Sequence, residues 1–129
     1  MQNPANLRVW HRAIDLAVRI SRVASRVNAT RAPGMASQLR RASASFPANI
    51  AEGAGQQSPA QCARFIAIAI GSAFELESHL VLVQRLQPEL ADLASLVDET
   101  QQVRRMMHAF RAHLLRVSAQ QKLGPGLLP

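Results

Sequence analysis

The sequence predicts an all-α protein, an antiparallel up-down-up-down four-helix bundle with a kinked second helix. Three observations predict it. Ala, Leu, Val and Ile dominate the 48% of hydrophobic residues, with no Tyr, one Trp and four Phe, and Ala and Leu favour helices. No Asn-Gly or Asp-Gly dipeptide separates alternating apolar runs, so hairpins lack a turn signal. Glycine and proline gather at a few points that divide the chain into four long segments, and short connections make such segments antiparallel neighbours. The 129 residues form one domain with a real core. They divide into an N-terminal extension (1–5), the bundle (6–120) and a flexible tail (121–129).

The first helix runs from about Leu7 to Val27, with Asn6 as N-cap, and yields to a loop holding Pro33 and Gly34. The second runs from about Met35 to Ala51 and stops at Glu52-Gly53-Ala54-Gly55, where glycine suits a left-handed cap. Pro47 removes an amide donor inside it and predicts a kink between Ser43 and Pro47. The third begins most clearly: Ser58 caps, Pro59 takes the first helical position and Gln61 completes a capping box. It ends near Gln87, before Pro88. The fourth runs from about Glu89 to Ala119. Glu89, Asp92, Asp98 and Glu99 lie toward its start, and Arg104, Arg105, Arg111 and Arg116 further on, an order that suits the helix dipole.

These helices carry more apolar surface than a lone bundle hides. The first has two seams, one of Leu7, Trp10, Ile14, Ala17, Ser21 and Ala24, the other of Val9, Ala13, Leu16, Ile20, Val23 and Val27. Together they cover roughly half its circumference, against the ~100° stripe that one bundle needs. In the third, Phe65-Ile66-Ala67-Ile68-Ala69-Ile70 is apolar all round, and Leu80-Val81-Leu82-Val83 repeats this. A second copy of the chain is the simplest cover. Gly71-Ser72 interrupts the third helix where Ala is better by about 1 kcal/mol, which predicts a close helix approach.

The net charge is +7, from 15 basic and 8 acidic residues, and every basic residue but Lys122 is Arg. That balance admits a polyanionic partner such as RNA or DNA. Arg8, Arg12, Asp15, Arg19, Arg22 and Arg26 follow spacings of four and three, so they share one line on the first helix. This line reads either as a basic rail for a phosphate backbone or as a solvated outer face. Arg40 and Arg41 add charge in mid-helix 2. One of them is expected to form a partly buried ion pair with Glu75, or with Glu77 of another copy.

Motifs for catalysis and metals are missing. A di-iron bundle needs repeated Glu-x-x-His, yet Glu75 and His79 are four apart and no second set exists. His108 and His113 lie on different faces. There is no HExxH, phosphate-binding glycine loop or G-x-S-x-G. The reading is therefore no enzyme, no cofactor and no metal. Cys62 is the sole cysteine, which predicts a packed thiol without a disulfide. The N-terminus has no signal-peptide pattern, and the Phe65–Phe74 stretch falls short of the ~20 residues that cross a bilayer. No membrane and a cytoplasmic location are the expectations.

The string from Gln38 to Gly53 (Gln-Leu-Arg-Arg-Ala-Ser-Ala-Ser-Phe-Pro-Ala-Asn-Ile-Ala-Glu-Gly) precedes Arg64-Phe65 and the run from Gly71 to Leu80 (Gly-Ser-Ala-Phe-Glu-Leu-Glu-Ser-His-Leu). With Leu7-Arg8-Val9-Trp10, these closely resemble a bacterial four-helix-bundle family. It includes proteins encoded in intervening sequences of large-subunit ribosomal RNA genes and is related to the accessory variability protein of diversity-generating retroelements. The resemblance covers about residues 6–118. It implies a closed ring, typically a homopentamer, and association with nucleic acid. Arg40, Arg41, Asn49, Glu52, Gly53, Gly71, Ser72 and Glu75 match the family pattern. Gln56, Gln57 and Ile70 stand where the family usually has basic residues.

Two functions compete. One is a homo-oligomeric scaffold whose basic surface (Arg8, Arg12, Arg19, Arg22, Arg26, Arg40 and Arg41) holds RNA or DNA. The other is a protein-interaction module whose partner is encoded nearby. Trp10, Pro47, Asn49, Glu52, Gly53, Phe65, Ile70, Gly71, Ser72 and Glu75 are the oligomer or structural positions.

Overall fold

The computed structural model describes residues 3–123. A 3-10 turn, Pro4–Asn6, leads into four helices: α1 (Arg8–Ala24), α2 (Met35–Ala54), α3 (Pro59–Leu86) and α4 (Leu93–Leu123). No strand occurs among the described residues. Consecutive helices pack side by side and α1 also meets α4, which closes the four-helix bundle.

The helix ends refine the boundaries. Leu7, not Asn6, occupies the N-cap of α1 and gives no side-chain cap. Asn6 is held in the 3-10 turn instead, where its amide donates to Asn3 O at 3.0 Å. α1 stops at Ala24, short of Val27, and unwinds through i-to-i+3 bonds from Arg26 to Val23 and Val27 to Ala24. Gln87 fixes that end: its Oε1 accepts from Asn28 N at 2.7 Å and its Nε2 donates to Arg26 O at 3.1 Å. It is buried, so these bonds satisfy an amide that is costly to leave unpaired.

α2 runs through Glu52-Gly53 to Ala54, and its C-cap Gly55 has φ −79°, so no left-handed cap forms. The glycine that needs its freedom is Gly34, the N-cap of α2, at φ 76°. Pro47 sits buried within α2 and denies the Ser43 carbonyl its helical donor. α3 begins as its sequence predicts, with Ser58 Oγ accepting from Gln61 N at 3.2 Å and Pro59 in the first turn. α4 starts at Leu93 instead of Glu89, because Asp92 adopts φ 75° and breaks the chain direction there. It continues to Leu123, so residues 121–123 of the expected tail are helical, while Gly124-Pro125-Gly126 lies outside the described residues.

One core runs the length of the bundle. Leu16 and Ile20 from α1, Leu39, Phe46 and Ile50 from α2, Ile66, Leu76 and Leu80 from α3, and Leu96 and Met107 from α4 are almost fully buried. Each such side chain contributes about 1.5–3 kcal/mol of transfer free energy. α1 buries Val9, Ala13, Leu16, Ile20 and Val23 of its second seam and Ala24 of its first, while Trp10, Ile14 and Ala17 of the first are half-buried. α3 is long and apolar enough to cross a membrane by length and composition, with a mean hydropathy of 1.6 over its best window, which the Phe65–Phe74 stretch alone understates. In the bundle it packs against both α2 and α4.

Candidate interaction surfaces

The basic rail of α1 faces the first half of α4. Arg12 Nε donates to Glu99 Oε1 at 2.8 Å and its Nη2 to Gln102 Oε1 at 3.2 Å. Arg19 Nη2 donates to Ser95 Oγ at 2.9 Å, and Arg26 Nη2 to Asp92 Oδ2 at 3.3 Å. In the following loop Arg31 forks onto both oxygens of Glu89, an interaction that holds the Glu89 carboxyl below its usual range. The acidic residues just before and early in α4 thus pair across the bundle, and none of them lies in the first turn of the helix. Arg8 and Arg22, also on α1, are exposed and make no ion pair among the described residues.

Along α2 and α3 the residues that carry the family likeness form a packing seam. Arg41 pairs with Glu75, as the sequence predicts for one of the two arginines, but at the surface: Arg41 is exposed. Arg40 turns the other way and donates to Ser21 O on α1 and to Oγ of Ser25, the residue that caps it. His79 Nε2 lies 3.2 Å from Glu75 Oε1, and hydrogen bonds from His79 and Arg41 hold the Glu75 carboxyl below its ordinary range. One turn on, Ser45 and Ser72 hydroxyls meet at 2.6 Å, and Asn49 Nδ2 donates to Ser45 O and Oγ. Glu77, offered above as a partner for another copy, is engaged within its own chain by Arg104 at 3.6 Å and by Gln101.

The close approach occurs at Gly53 and not at Gly71. A Cβ on Gly53 would lie 3.1 Å from Cys62 O and 3.2 Å from Phe65 Cβ, whereas one on Gly71 would meet nothing within 4 Å. Gly71 instead lies exposed on the outer face of α3 among Ile68 (53% exposed), Phe74 (51%) and Leu82 (46%), with Leu115 of α4 (42%) beside them. Ile70, by contrast, is buried in its own bundle. Arg104 Cζ stands 4.4 Å from the Phe74 ring centroid and His108 packs edge-on at 6.4 Å, a cation–π cluster. The sequence reading missed this cluster; its only signal is the all-round apolarity of α3. Buried Nε atoms of Arg104 and Arg111 have no hydrogen-bond partner among the described residues.

At the far end, Gly53, Cys62, Phe110, His113 and Leu114 are among the residues lining a cleft of about 290 Å³. Burial pushes the Cys62 thiol up, which disfavours its reactive thiolate. No group of three or more His, Cys, Asp or Glu that could hold a metal occurs among the described residues.

A family model described as 23S rRNA-intervening sequence protein matches residues 5–109. No curated protein matches the chain.

Proposed function

The chain belongs to the 23S rRNA-intervening sequence protein family, and from that premise we propose that it is a non-catalytic, homo-oligomeric scaffold whose outward arginines hold a nucleic-acid backbone. The observation that carries the reading is the bare outer face of α3, where Ile68, Phe74 and Leu82 stay about half exposed around Gly71. Contiguous apolar patches of several hundred Å² mark interaction sites. A ring of five copies is the assembly that the family resemblance implies, and it multiplies the +7 charge of each chain into a field that attracts polyanions.

Arg8 and Arg22, exposed and without ion-pair partners among the described residues, are the rail positions best placed for phosphate. Light scattering coupled to chromatography tests assembly, and titration of single- and double-stranded nucleic acid at several salt concentrations tests binding. A single subunit at high concentration refutes the scaffold. Absence of binding at low salt refutes the nucleic-acid role.

A second reading, a protein-interaction module without nucleic acid, is favoured by one observation. Arg12, Arg19 and Arg26 already have partners on or just before α4, which leaves the rail less free charge than its sequence advertises. A defined complex with a protein, free of nucleic acid, distinguishes it.

A further inference from the structure

Two unpartnered surfaces of this chain complement each other. The first is the α3 ridge just described, edged by Arg64 and by Arg111, which share a surface depression with Ile68 and Leu115. Neither arginine makes an ion pair among the described residues. The second lies on α2, where Ala48, Ala51 and Gly55, edged by Glu52 and Gln56, line a shallow depression of about 430 Å³. Its small side chains leave room for large ones. Glu52 is exposed and its carboxylate has no partner among the described residues.

The two surfaces also sit at one height. Gly53 abuts Cys62 and Phe65, and Ser45 meets Ser72. Glu52 is therefore level with Arg64, and Ala48 with Ile68. Rotation about an axis parallel to the bundle carries every residue to its own height in the next copy, so a carboxylate and arginines at one level come face to face. α2 and α3 occupy adjacent corners of the bundle, so their outer faces diverge. A head-to-tail contact between diverging faces is of the kind that closes into a ring.

We propose that the α3 ridge of one copy seats in the α2 groove of the next, with Ile68 over Ala48 and Ala51 and with Glu52 meeting Arg64 and Arg111. The partner is a second copy of this chain because the chain itself supplies both halves, matched in size, charge and height. An open Gly71 then has its reason, since the neighbouring helix passes over it. α3 has 28 residues, which at 1.5 Å each make a helix about 40 Å long, enough with its α4 flank for the ~800 Å² per side of a standard interface. The inference rests on the homo-oligomeric reading above and adds to it which faces meet.

Gly71→Glu breaks the ridge from a position whose Cβ meets nothing within 4 Å in its own subunit, and Ala48→Arg fills the groove; Ile68→Asp serves as a second ridge variant. Light scattering gives the mass of each, and far-ultraviolet circular dichroism shows that each keeps its helices. Wild type should be a multimer, and either variant alone a single subunit, its self-association weakened roughly a hundredfold. An equimolar mixture of Gly71→Glu and Ala48→Arg should give twice the single-chain mass and stop there, because one intact ridge meets one intact groove. A wild-type multimer with unaffected variants overturns this assignment of faces and leaves the scaffold reading standing. Variants that stay single when mixed overturn the head-to-tail contact. A single-subunit wild type overturns both readings.

Discussion

Gly53 and Cys62 mark a close approach of α2 and α3: a Cβ at position 53 would lie 3.1 Å from the Cys62 carbonyl oxygen and 3.3 Å from its Sγ. The carbonyl is locked in the first turn of α3, where it cannot swing aside. Gly53→Ala should therefore push the helices apart and lower stability by about 1–3 kcal/mol despite its better helix propensity. Urea unfolding checks this, and unchanged or increased stability would show that the crossing yields.

Phe46 is fully buried where α2 faces the core. Phe46→Ala should cost about 3–5 kcal/mol, a large part of the 5–15 kcal/mol that holds an ordinary domain together. Thermal unfolding followed by circular dichroism should show the transition shifted well below that of the wild type.

Glu75 predicts a pH dependence. Its folded carboxyl is held below its ordinary range, first by His79 and then by Arg41, so the folded chain favours the carboxylate. That stabilisation is present above the unfolded value near 4.5 and is lost as pH falls through the lower, folded value. Glu75→Gln should be less stable than wild type at pH 7 by about 0.2–1 kcal/mol, as for exposed pairs. The difference should vanish in acid. Unfolding curves across pH 3–7 measure it, and a constant gap would remove the electrostatic account.

Glu99 ties down Arg12 on the rail. If the arginines hold phosphates, Glu99→Gln should strengthen nucleic-acid binding at low salt and steepen its dependence on log salt by about 0.9 for the freed charge. Arg22→Ala, which removes an exposed arginine, should flatten that slope by about as much. Slopes equal to wild type in both variants would take the rail out of the interface.

Much of this molecule is legible in its residues, for local reasons. Ser58-Pro59 starts α3 where it should because the cap bond to Gln61 spans three residues. The second seam of α1 is the buried one because its 3.6-residue period fixes a face before anything packs on it. Where the chain reading strayed, the deciding partner was distant. The early end of α1 at Ala24 goes with Gln87, which clamps the chain near Arg26 and Asn28, and Asp92 at the break before α4 pairs with Arg26. A buried amide chooses its partners across space.

The sequence by itself determined the four helices, their antiparallel order and the surplus of apolar surface on α3, because helix propensity and periodicity act within a few residues. Only the tertiary structure decided which glycine marks the close approach and which arginines are already occupied. It assigned the first to Gly53 and the second to Arg12, Arg19 and Arg26. Both depend on which faces of separate helices meet, and that is settled by packing among residues far apart in the chain.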